Sequence, residues 1–500
     1  MKLVVTEDKK FLRIVDFEEN ELEQVKFSFR RRIRGWYWNP LVKKKLWNGY
    51  VEFIKDFKIP IGLWNDLIKL GETYTFPVDI QGLERIVDIN FDENDFKNWV
   101  SNFFIDHKFI PRDYQIDSAA AILKNRICVS EIATSAGKTL ITFLVYGYLK
   151  HKGMLNKMLI IVPNTTLVMQ MKDDWEEYNR EVLPMKIRQV YGGSKDDDPS
   201  ADVIVGTFQS LTKKNIDYFR GINVVFTDES HTVKTVSIRN VLSKCSDSDY
   251  RFGLSGTVQE DDSADFMTVT ALLGPLVKSI PPRFLFKEGF ATPPKFKIIV
   301  LQYKNEELKE KLYFIRKGKQ LEGGKILNLE KNIIVQNPAR FKFIVDLVSK
   351  TTKNTLLLFS NVKDQYGKRM YDWLKENTNK VCYYVDGSIS QEHRDFYKKD
   401  MEEGNNRVLV ASFTTFSTGI SIKNVHTICF AESYKSEIII KQSIGRGMRQ
   451  LEGKESFTIV DFVDDLAYKG MQNYLYKHGK ARLEFYKQYS SDIAVHKVQI

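Results

Sequence analysis

Short apolar runs alternate with longer amphipathic stretches over two consecutive parts of the chain. The first series of apolar runs occupies residues 126–130, 158–162, 203–205, 223–227 and 252–254. The second series occupies residues 356–359, 408–410, 428–430 and 457–460. Short strands without polar alternation, separated by helices, are typical of parallel sheets that are covered on both faces. The pattern predicts an α/β protein with two parallel-sheet domains in tandem.

A proline-dense segment separates the two series. Residues 275–295 contain five prolines, and proline is unfavourable inside a helix or a central strand. We therefore expect a linker here, with a hinge over residues 281–295. The following charged residues, 305–335, are predicted to be helical and to precede the strands of the second domain.

The first 95 residues fit neither series and predict a small α+β domain. Residues 26–58 contain ten Lys or Arg, two acidic residues and nine aromatic residues. Within them, Leu46–Val51 is predicted to form a hairpin, because Asn48-Gly49 suits a two-residue turn. Cations interleaved with aromatic rings suit nucleic acid, although the rings could instead form a core beneath a solvated charged face. The candidate DNA-binding residues here are Arg30, Arg31, Arg32, Arg34, Lys43, Lys44 and Lys45.

Composition narrows the class of protein. The chain has 500 residues, 43% of them hydrophobic, and a formal net charge of +11. This length favours several domains, and the positive charge favours a polyanionic partner. Four scattered cysteines without metal-ligand spacing predict buried free thiols in a reducing compartment. No secretory signal or membrane-spanning run is visible, so we expect a cytoplasmic protein with no membrane partner.

The segment Ala133–Thr139 ends in Gly-Lys-Thr, the ending of a phosphate-binding loop. Its backbone N–H groups would face phosphate oxygens, Lys138 would reach the β- and γ-phosphates, and Thr139 would bind Mg²⁺. The strand at 126–130 and the apolar-faced helix predicted at 140–149 give it the required context. Thr134, Ser135, Ala136 and Gly137 complete the predicted loop.

Asp228 and Glu229 follow the predicted strand at 223–227. In this position Asp228 would lie on the Mg²⁺ side and Glu229 beside the attacking water. An acidic pair after a strand is often only a polar turn. Because the acidic pair follows a phosphate-binding loop in the chain, it predicts an ATP-hydrolysing site with ATP and Mg²⁺ as cofactors.

Two further segments suit that site. Arg112 and Gln115 precede the loop by about twenty residues, where the Gln115 amide could bond the edge of adenine. The alternative is a helix cap with surface polar residues. Ser255 and Thr257 follow the strand at 252–254 and could bond Glu229 or His231, which would couple them to the nucleotide state.

The second domain carries Gln442–Arg449 but no phosphate-binding loop. Arg446 and Arg449 are three residues apart, so they would share a face of a helix. Two guanidinium groups suit the charge that spreads over a γ-phosphate in its transition state. We therefore expect arginines that act in trans, although an exposed basic helix would show the same pattern.

Together these motifs, with Thr415–Gly419, resemble the ordered motif set of superfamily 2 helicases of the DExH type over about residues 100–465. The N-terminal residues Gly35–Pro40 and Trp47–Gly49 resemble those of phage helicases of recombination and repair. The resemblance implies two RecA-like domains, at 96–280 and 296–500, the second ending in a basic helical segment. That segment, 469–497, is expected to contact nucleic acid or to pack as a helix.

The resemblance also assigns roles. It implies catalytic functions for Lys138, Asp228, Glu229, Gln442, Arg446 and Arg449, and a nucleotide contact for Gly419. It places Pro163, Thr165, Thr207, Gln209, Thr415 and Thr418 on the backbone of a tracked strand. The implied partners are branched or partly single-stranded DNA and RNA–DNA hybrids, with single-strand binding and recombination proteins. The implied activities are junction migration, fork regression, and D-loop and R-loop unwinding.

Two residues depart from the usual motif pattern, and there are two alternative functions. Ile132 and Ser135 stand where many such helicases have glycine, which puts the loop geometry in question. The same motor could translocate on duplex DNA or remodel RNA without separating DNA strands. The second alternative is a non-enzymatic binding protein built on a decayed motor. The complete set of charged motif residues argues against it.

Overall fold

The computed structural model describes residues 1–33, 35–194, 198–230, 236–256, 263–318, 323–360, 362, 365–413, 415–416, 422–433 and 437–500. The chain divides into two compact units, Met1–Pro281 and Pro282–Ile500. Arg34, His231, Thr257, Thr418 and Gly419 are site residues predicted above that lie outside the described residues.

The N-terminal part of the first unit is a small α+β region. Its elements are β1 (Lys2–Val5), β2 (Phe11–Asp16), α1 (Glu19–Ser28), β3 (Arg30–Arg32), α2 (Pro40–Lys43), β4 (Tyr50–Glu52), β5 (Lys58–Pro60), α3 (Trp64–Tyr74), β6 (Asp79–Gln81) and α4 (Glu93–Phe103). Four strands form a sheet in the order β5-β2-β1-β6, and β3 and β4 form a separate ribbon. The core of the sheet includes Ile127, Met267 and Ala271 from further along the chain. This region and the following α/β region therefore share a core.

The predicted hairpin over Leu46–Val51 is wrong. Gly49 does have a positive φ of 81°. However, β4 begins at Tyr50 and pairs antiparallel with β3, which precedes the predicted hairpin in the chain. A Cβ on Gly49 would lie 2.8 Å from Trp36 Cβ. The glycine is thus required by close packing on Trp36 rather than by a two-residue turn.

The rest of the first unit is a parallel sheet with helices. Its elements are α5 (Asp113–Asn125), β7 (Ile127–Ile132), α6 (Lys138–His151), β8 (Lys157–Val162), α7 (Thr165–Asn179), β9 (Ile187–Val190), β10 (Val203–Thr207), α8 (Phe208–Thr212), β11 (Ile222–Asp228), α9 (Val236–Lys244), β12 (Tyr250–Ser255), α10 (Ala264–Leu273) and β13 (Leu276–Ile280). The strand order is β13-β7-β12-β11-β8-β10-β9, and all pairings are parallel. The five strands predicted from the apolar runs are confirmed.

The second unit repeats this architecture. Its elements are α11 (Pro282–Lys287), β14 (Pro294–Gln302), α12 (Glu306–Lys317), α13 (Gly323–Gln336), α14 (Pro338–Ser349), β15 (Thr355–Phe359), α15 (Tyr366–Asn377), β16 (Val381–Val385), α16 (Gln391–Glu403), β17 (Arg407–Ser412), β18 (Thr427–Phe430), α17 (Glu437–Gly447), β19 (Phe457–Asp465), α18 (Tyr474–Tyr486) and β20 (Ile493–Gln499). The order β16-β17-β15-β18-β19-β14-β20 is again parallel throughout. The two tandem parallel-sheet domains are therefore confirmed.

The proline-dense segment contains regular structure, contrary to the prediction. β13 is an edge strand, and α11 and β14 begin at Pro282 and Pro294. Proline fits the first turn of a helix because the N–H that it lacks has no intrahelical partner there, and it fits the first residue of a strand. The prolines therefore mark where elements begin.

Buried ion pairs attach two helices of the second unit to β19. Arg340 of α14 bonds Asp464 at 2.7 Å, and Arg482 of α18 bonds Asp461 at 2.7 Å. The bond from Arg482, with the buried Leu475, Phe485 and Tyr486, makes α18 a packing helix. The end of the basic C-terminal segment is not helical, because β20 pairs with β14 there.

Three of the four cysteines are buried, as predicted. Cys128, Cys245 and Cys429 are buried free thiols, and Cys382 is a half-buried one. Burial raises the pKa of the Cys245 and Cys429 thiols to about 12. Among the residues that the structure describes, none of the helices combines the length and apolarity that a membrane crossing needs.

Candidate nucleotide-binding site

The predicted phosphate-binding loop joins β7 to the N-terminus of α6. Ser135 and Gly137 have φ values of 69° and 81°, and α6 begins at Lys138. Such left-handed residues curl the chain so that successive N–H groups and the helix N-terminus face one side. Thr134, Ser135, Gly137, Lys138 and Thr139 are half-buried, whereas Ala136 is buried.

The two departures from the usual loop have local explanations. Ile132 is the last residue of β7, is fully buried, and pairs with Ile280 of β13. It belongs to the sheet rather than to the loop, so an apolar side chain fits. Ser135 adopts the left-handed conformation that glycine would adopt more easily.

The acidic pair lies at the end of β11. Glu229 has a φ of 52°, which is uncommon for a residue with a side chain. Its backbone N–H donates to Asp228 Oδ1 at 3.0 Å. Its carboxylate lies 4.0 Å from Lys138 Nζ and accepts a hydrogen bond from Ser255 Oγ at 3.3 Å. The predicted bond between Ser255 and Glu229 is thus observed, and the acid, the loop lysine and the serine form one cluster.

The sheet order explains why these residues meet. β7, β12 and β11 are neighbours, and the carboxyl ends of parallel strands lie along one edge. The phosphate-binding loop, Ser255 and Asp228 follow or end those three strands. The same edge continues through β8 and β10 to Pro163, Thr165 and Thr207.

The environment of Asp228 disfavours its charge. Burial, and next the negative charge of Glu229, raise the pKa of Asp228 to about 6, while Lys138 opposes the shift. A cation beside these oxygens would restore the ionised form. The Asp228 carboxylate and the Thr139 hydroxyl are the oxygen donors that Mg²⁺ prefers.

This donor set fits a magnesium ion that arrives with phosphates. Magnesium is usually held by one or two carboxylates together with substrate phosphate oxygens, rather than by a cage of protein ligands. Within the described part of the chain, no group of three or more His, Cys, Asp or Glu side chains is placed to hold a metal.

Gln115 and Tyr114 bond the phosphate-binding loop. Gln115 Nε2 and Tyr114 OH donate to the carbonyl of Ala136 at 3.0 and 2.9 Å. Gln115 Oε1 accepts from the backbone N–H of Arg112 at 2.9 Å. Both ends of the Gln115 amide are therefore bonded within the protein, and adenine recognition by it stays a prediction. The role of Tyr114 was missed, because a tyrosine beside the predicted glutamine gave no signal of this contact.

The arginine motif differs from its prediction in one respect. Gln442 and Arg446 lie on α17, but the helix ends at Gly447, so Arg449 follows the helix instead of sharing its face. A Cβ on Gly447 would lie 2.3 Å from the ring of Phe457. This close approach to β19 accompanies the end of the helix. Arg446 lies 5.1 Å over the ring of Phe416.

The residues predicted to touch a tracked strand are only partly exposed. Thr207 and Thr415 are buried, and each hydroxyl bonds a serine three residues away, Ser210 at 3.2 Å and Ser412 at 2.7 Å. Gln209 is exposed, whereas Pro163 and Thr165 are half-buried.

The β3–β4 ribbon carries a ladder of cations and rings. The Arg32 guanidinium lies 4.1 Å from the Trp36 ring and 4.6 Å from the Tyr50 ring. Arg30 lies 4.7 Å from Phe27 and 5.2 Å from the same Tyr50. Arg31 donates to backbone carbonyls. We call Phe27, Arg30, Arg32, Trp36 and Tyr50 the cation–ring ladder.

Next to the ladder, aromatic rings and lysines are exposed. Trp38 and Tyr37 are 68% and 57% exposed, and Lys43 Nζ lies 4.9 Å over the Trp38 ring. Lys44 and Lys45 follow the end of α2 and are exposed. Phe29, by contrast, is in the core. The aromatic residues of this segment are thus divided between core and surface.

Sequence comparisons match both parallel-sheet regions to helicase-type families. Residues 108–260 match the family described as Type III restriction enzyme, res subunit, and residues 339–450 match the helicase conserved C-terminal domain. The yeast protein Dbp5, solved with RNA and ADP BeF3, shares the fold with a TM-score of 0.53 and 16% identity, over 80% of this chain and 93% of that chain.

Two relatives align over most of their length. The DNA 3′-5′ translocase XPB2 of Sulfurisphaera tokodaii is 22% identical over 84% of this chain and 96% of its own. The ATP-dependent DNA helicase UvsW of Enterobacteria phage T4 is 31% identical over 497 residues, 94% of each chain. The chain therefore belongs to the UvsW family of superfamily 2 helicases and is an ATP-dependent helicase.

Proposed function

We propose that this helicase hydrolyses ATP with Mg²⁺ to remodel branched nucleic acids, DNA above all. The observation that carries the proposal is the cluster of Lys138, Glu229 and Ser255 beside Asp228 at one edge of the first parallel sheet. A loop lysine and an acidic pair in this arrangement are the parts that phosphoryl transfer to water requires.

Each member of the cluster has a distinct role in this proposal. Backbone N–H groups of residues 134–138 and the Lys138 ammonium bind the phosphates. Glu229 orients the attacking water and accepts its proton, and Ser255 fixes the Glu229 carboxylate. Asp228 and Thr139 hold Mg²⁺, which neutralises charge on the phosphates when bound.

The contact between Lys138 and Glu229 has a consequence for turnover. At 4.0 Å the two charges partly neutralise each other. A phosphate that attracts Lys138 would release the Glu229 carboxylate from this contact and leave it free to act on water. Nucleotide binding would thus activate the base.

The arginine motif would supply the remaining charge. We propose that Arg446 and Arg449 of the second unit stabilise the transferred phosphoryl group, with Gln442 beside them. Guanidinium groups suit this role because they are always protonated and bind several oxygens.

Nucleic acid would be gripped without reading its sequence. Pro163, Thr165, Thr207, Gln209 and Thr415 lie at or after strand ends, where contacts to a phosphate backbone position a strand. The cation–ring ladder and the exposed Trp38 and Tyr37 supply a second surface of cations and flat rings. Such a surface suits the base faces at a junction or duplex end, which favours branched substrates.

One comparison favours a second candidate function. The Sulfurisphaera tokodaii relative is named a DNA translocase and aligns over 96% of its length. A motor of that kind would track along duplex DNA and consume ATP without separating strands.

A substrate panel tests the two candidates. ATPase activity and strand displacement should be measured with single-stranded, duplex, forked, four-way-junction and RNA–DNA hybrid ligands. We expect the highest ATPase stimulation and strand displacement on branched ligands. ATPase stimulation by duplex without displacement of any strand would favour the translocase.

The Lys138→Ala variant is the control for the nucleotide site. DNA binding should persist while ATP turnover disappears, because only phosphate binding is removed. Persistent turnover in this variant would refute the assignment of the phosphate site.

A further inference from the structure

Lys454 is a buried lysine in the connection between α17 and β19. It is 7% exposed. Its ammonium donates to the carbonyls of Gly447 at 2.8 Å, Lys423 at 3.0 Å and Arg449 at 3.3 Å. An ammonium has three donors, and three backbone carbonyls from two segments of the chain receive them.

These carbonyls belong to segments that the proposed reaction uses. Gly447 ends α17, where carbonyls lack intrahelical partners and the helix dipole attracts a cation. Arg449 is a proposed phosphate-binding arginine. Lys423 closely follows the segment 415–419, which is proposed to touch nucleic acid.

The same arginine segment is held from a second side. The backbone N–H of Thr292 donates to the Met448 carbonyl at 2.8 Å, and the Thr292 hydroxyl donates to the Arg449 carbonyl at 3.2 Å. The ring of Phe457 leaves no room for a side chain at residue 447. The backbone of 447–449 is therefore fixed by bonds from Lys454 and Thr292 and by packing on Phe457.

The surroundings of Lys454 make its charge sensitive to pH. Burial, and next the positive charge of Arg449, lower the pKa of Lys454 to about 8. Burial, and next the charges of Lys353 and Lys454, lower the pKa of the His426 imidazole to about 4, so this group also senses the Lys454 charge. The Phe457 ring, 5.5 Å away, offers a favourable contact to the ammonium.

We infer that Lys454 is a positioning residue for ATP hydrolysis, which holds the backbone of Arg449 and joins it to Lys423. The inference rests on the proposed function of Arg449. Lys454 contacts neither reacting atom in this role. Through its bond to the Lys423 carbonyl it would couple residues 422–423 to the arginine motif.

Four variants test the inference in the full-length protein: Lys454→Met, Arg449→Ala, their combination, and Lys441→Met as the control. Lys441 lies on α17 but away from its end. We expect Lys454→Met to lower the nucleic-acid-stimulated kcat about tenfold and to change the KM for ATP less than twofold. Lys441→Met should keep the wild-type kcat.

Non-additivity separates positioning from an unrelated defect. If Lys454 acts through Arg449, adding Lys454→Met to Arg449→Ala should reduce kcat by less than twofold further. A full tenfold further loss would overturn the inference. Wild-type turnover by Arg449→Ala would refute the arginine assignment itself. If Arg449→Ala loses turnover while Lys454→Met keeps the wild-type kcat, only the role of Lys454 is refuted.

A pH profile gives a readout that a purely structural role would not move. In the wild type and in Lys441→Met, kcat should fall as pH rises through about 8, as Lys454 loses its proton. In Lys454→Met that limb should disappear. Identical pH profiles in the wild type, Lys441→Met and Lys454→Met would overturn the inference. If Lys454→Met does not fold, a wild-type kcat that does not fall as pH rises through about 8 would overturn it.

Discussion

The buried carboxyl of Asp228 should give the proposed nucleotide site a pH dependence at acidic pH. Its pKa of about 6 lies above its usual value because of burial and the neighbouring Glu229 charge. Only the ionised form would hold Mg²⁺. We therefore expect kcat/KM for ATP to fall about tenfold per pH unit below pH 6, with the fall shifted to lower pH by excess Mg²⁺. A flat profile between pH 7 and 5 would contradict this role.

The same pKa predicts an effect on stability. A carboxyl whose pKa is raised by folding contributes stability while it is protonated, and this contribution is lost as pH rises through about 6. At pH 7.5 without nucleotide, Asp228→Asn should raise Tm by about 2–4 °C while abolishing turnover. Calorimetry at pH 7.5 and at pH 4 provides the comparison, because the gain should vanish at the lower pH.

Gly137 tests the link between the phosphate-binding loop and Gln115. A Cβ at residue 137 would lie 2.3 Å from Gln115 Nε2, in a backbone conformation with φ of 81°. Gly137→Ala should therefore lower ATPase activity at least about tenfold, since either the loop shifts or Gln115 gives up its bond to the Ala136 carbonyl. The matched control is Gly153→Ala, which also has a positive φ, 68°, but nothing within 4 Å of the added Cβ. Equal activities in an ATPase assay would show that Gln115 yields freely.

The local motifs were predictable from the sequence, and their side-chain partners were not. Lys138 and Asp228 each follow a recognisable apolar run, so the sequence predicted both ends of the site. The bond of Gln115 to Ala136 joins residues 21 positions apart and depends on how α5 lies against the loop. The contacts of Lys454 likewise depend on three chain segments meeting, which no spacing indicates.

Among the elements, most internal strands were predicted, whereas β14 and several edge strands were not. The central strands β8, β10 and β15 are continuous apolar runs because helices cover both faces. The edge strand β20 has a mostly half-buried or exposed pattern, and β9 contains Arg188 and Gln189. An edge strand needs no continuous apolar run, so hydropathy does not reveal it. The proline-dense segment was predicted wrongly for a different reason, because its prolines stand where α11 and β14 begin.

Removing one partner of the buried ion pair between α14 and β19 should strongly destabilise the second unit. Arg340 and Asp464 are both fully buried, and Arg340 also bonds Tyr366. Arg340→Leu leaves a buried carboxylate unpaired, which costs about 3–5 kcal/mol. Urea denaturation should show this loss. The control, Lys342→Leu, removes an exposed i,i+4 pair from the same helix and should cost less than about 0.5 kcal/mol. Equal losses would contradict the assigned importance of burial.

At the scale of the whole molecule, two units with similar parallel sheets carry different chemistry. The phosphate-binding loop and the acidic pair belong to Met1–Pro281, and the arginine motif belongs to Pro282–Ile500. The tandem arrangement was predictable because the apolar pattern repeats. The core that the N-terminal region shares with the following region was not predictable. Met267 and Ala271 lie far along the chain, and the apolar side of their helix does not indicate which part of the chain it packs against.

The net charge of +11 predicts strongly salt-dependent binding of nucleic acid. Each neutralised phosphate contributes about 0.9 to the slope of log affinity against log salt concentration. If Arg30 and Arg32 of the cation–ring ladder contact phosphates, the double variant Arg30→Gln/Arg32→Gln should reduce that slope by about 2. The KM for ATP should not change, because the ladder lies outside the nucleotide cluster.

A charge-matched variant separates the ladder from net charge alone. Arg220 and Lys399 are 80% and 75% exposed at their side chains, so Arg220→Gln/Lys399→Gln removes two positive charges elsewhere. Fluorescence anisotropy with a forked DNA between 50 and 300 mM salt should give the wild-type slope for this control. If both double variants reduced the slope equally, the basic surface would act only through its total charge. A smaller slope for the ladder variant alone, with a larger reduction on forked than on duplex DNA, would support contact of the ladder with branch points. Exposed rings beside positioned guanidinium groups gain the most stacking energy where bases are unstacked.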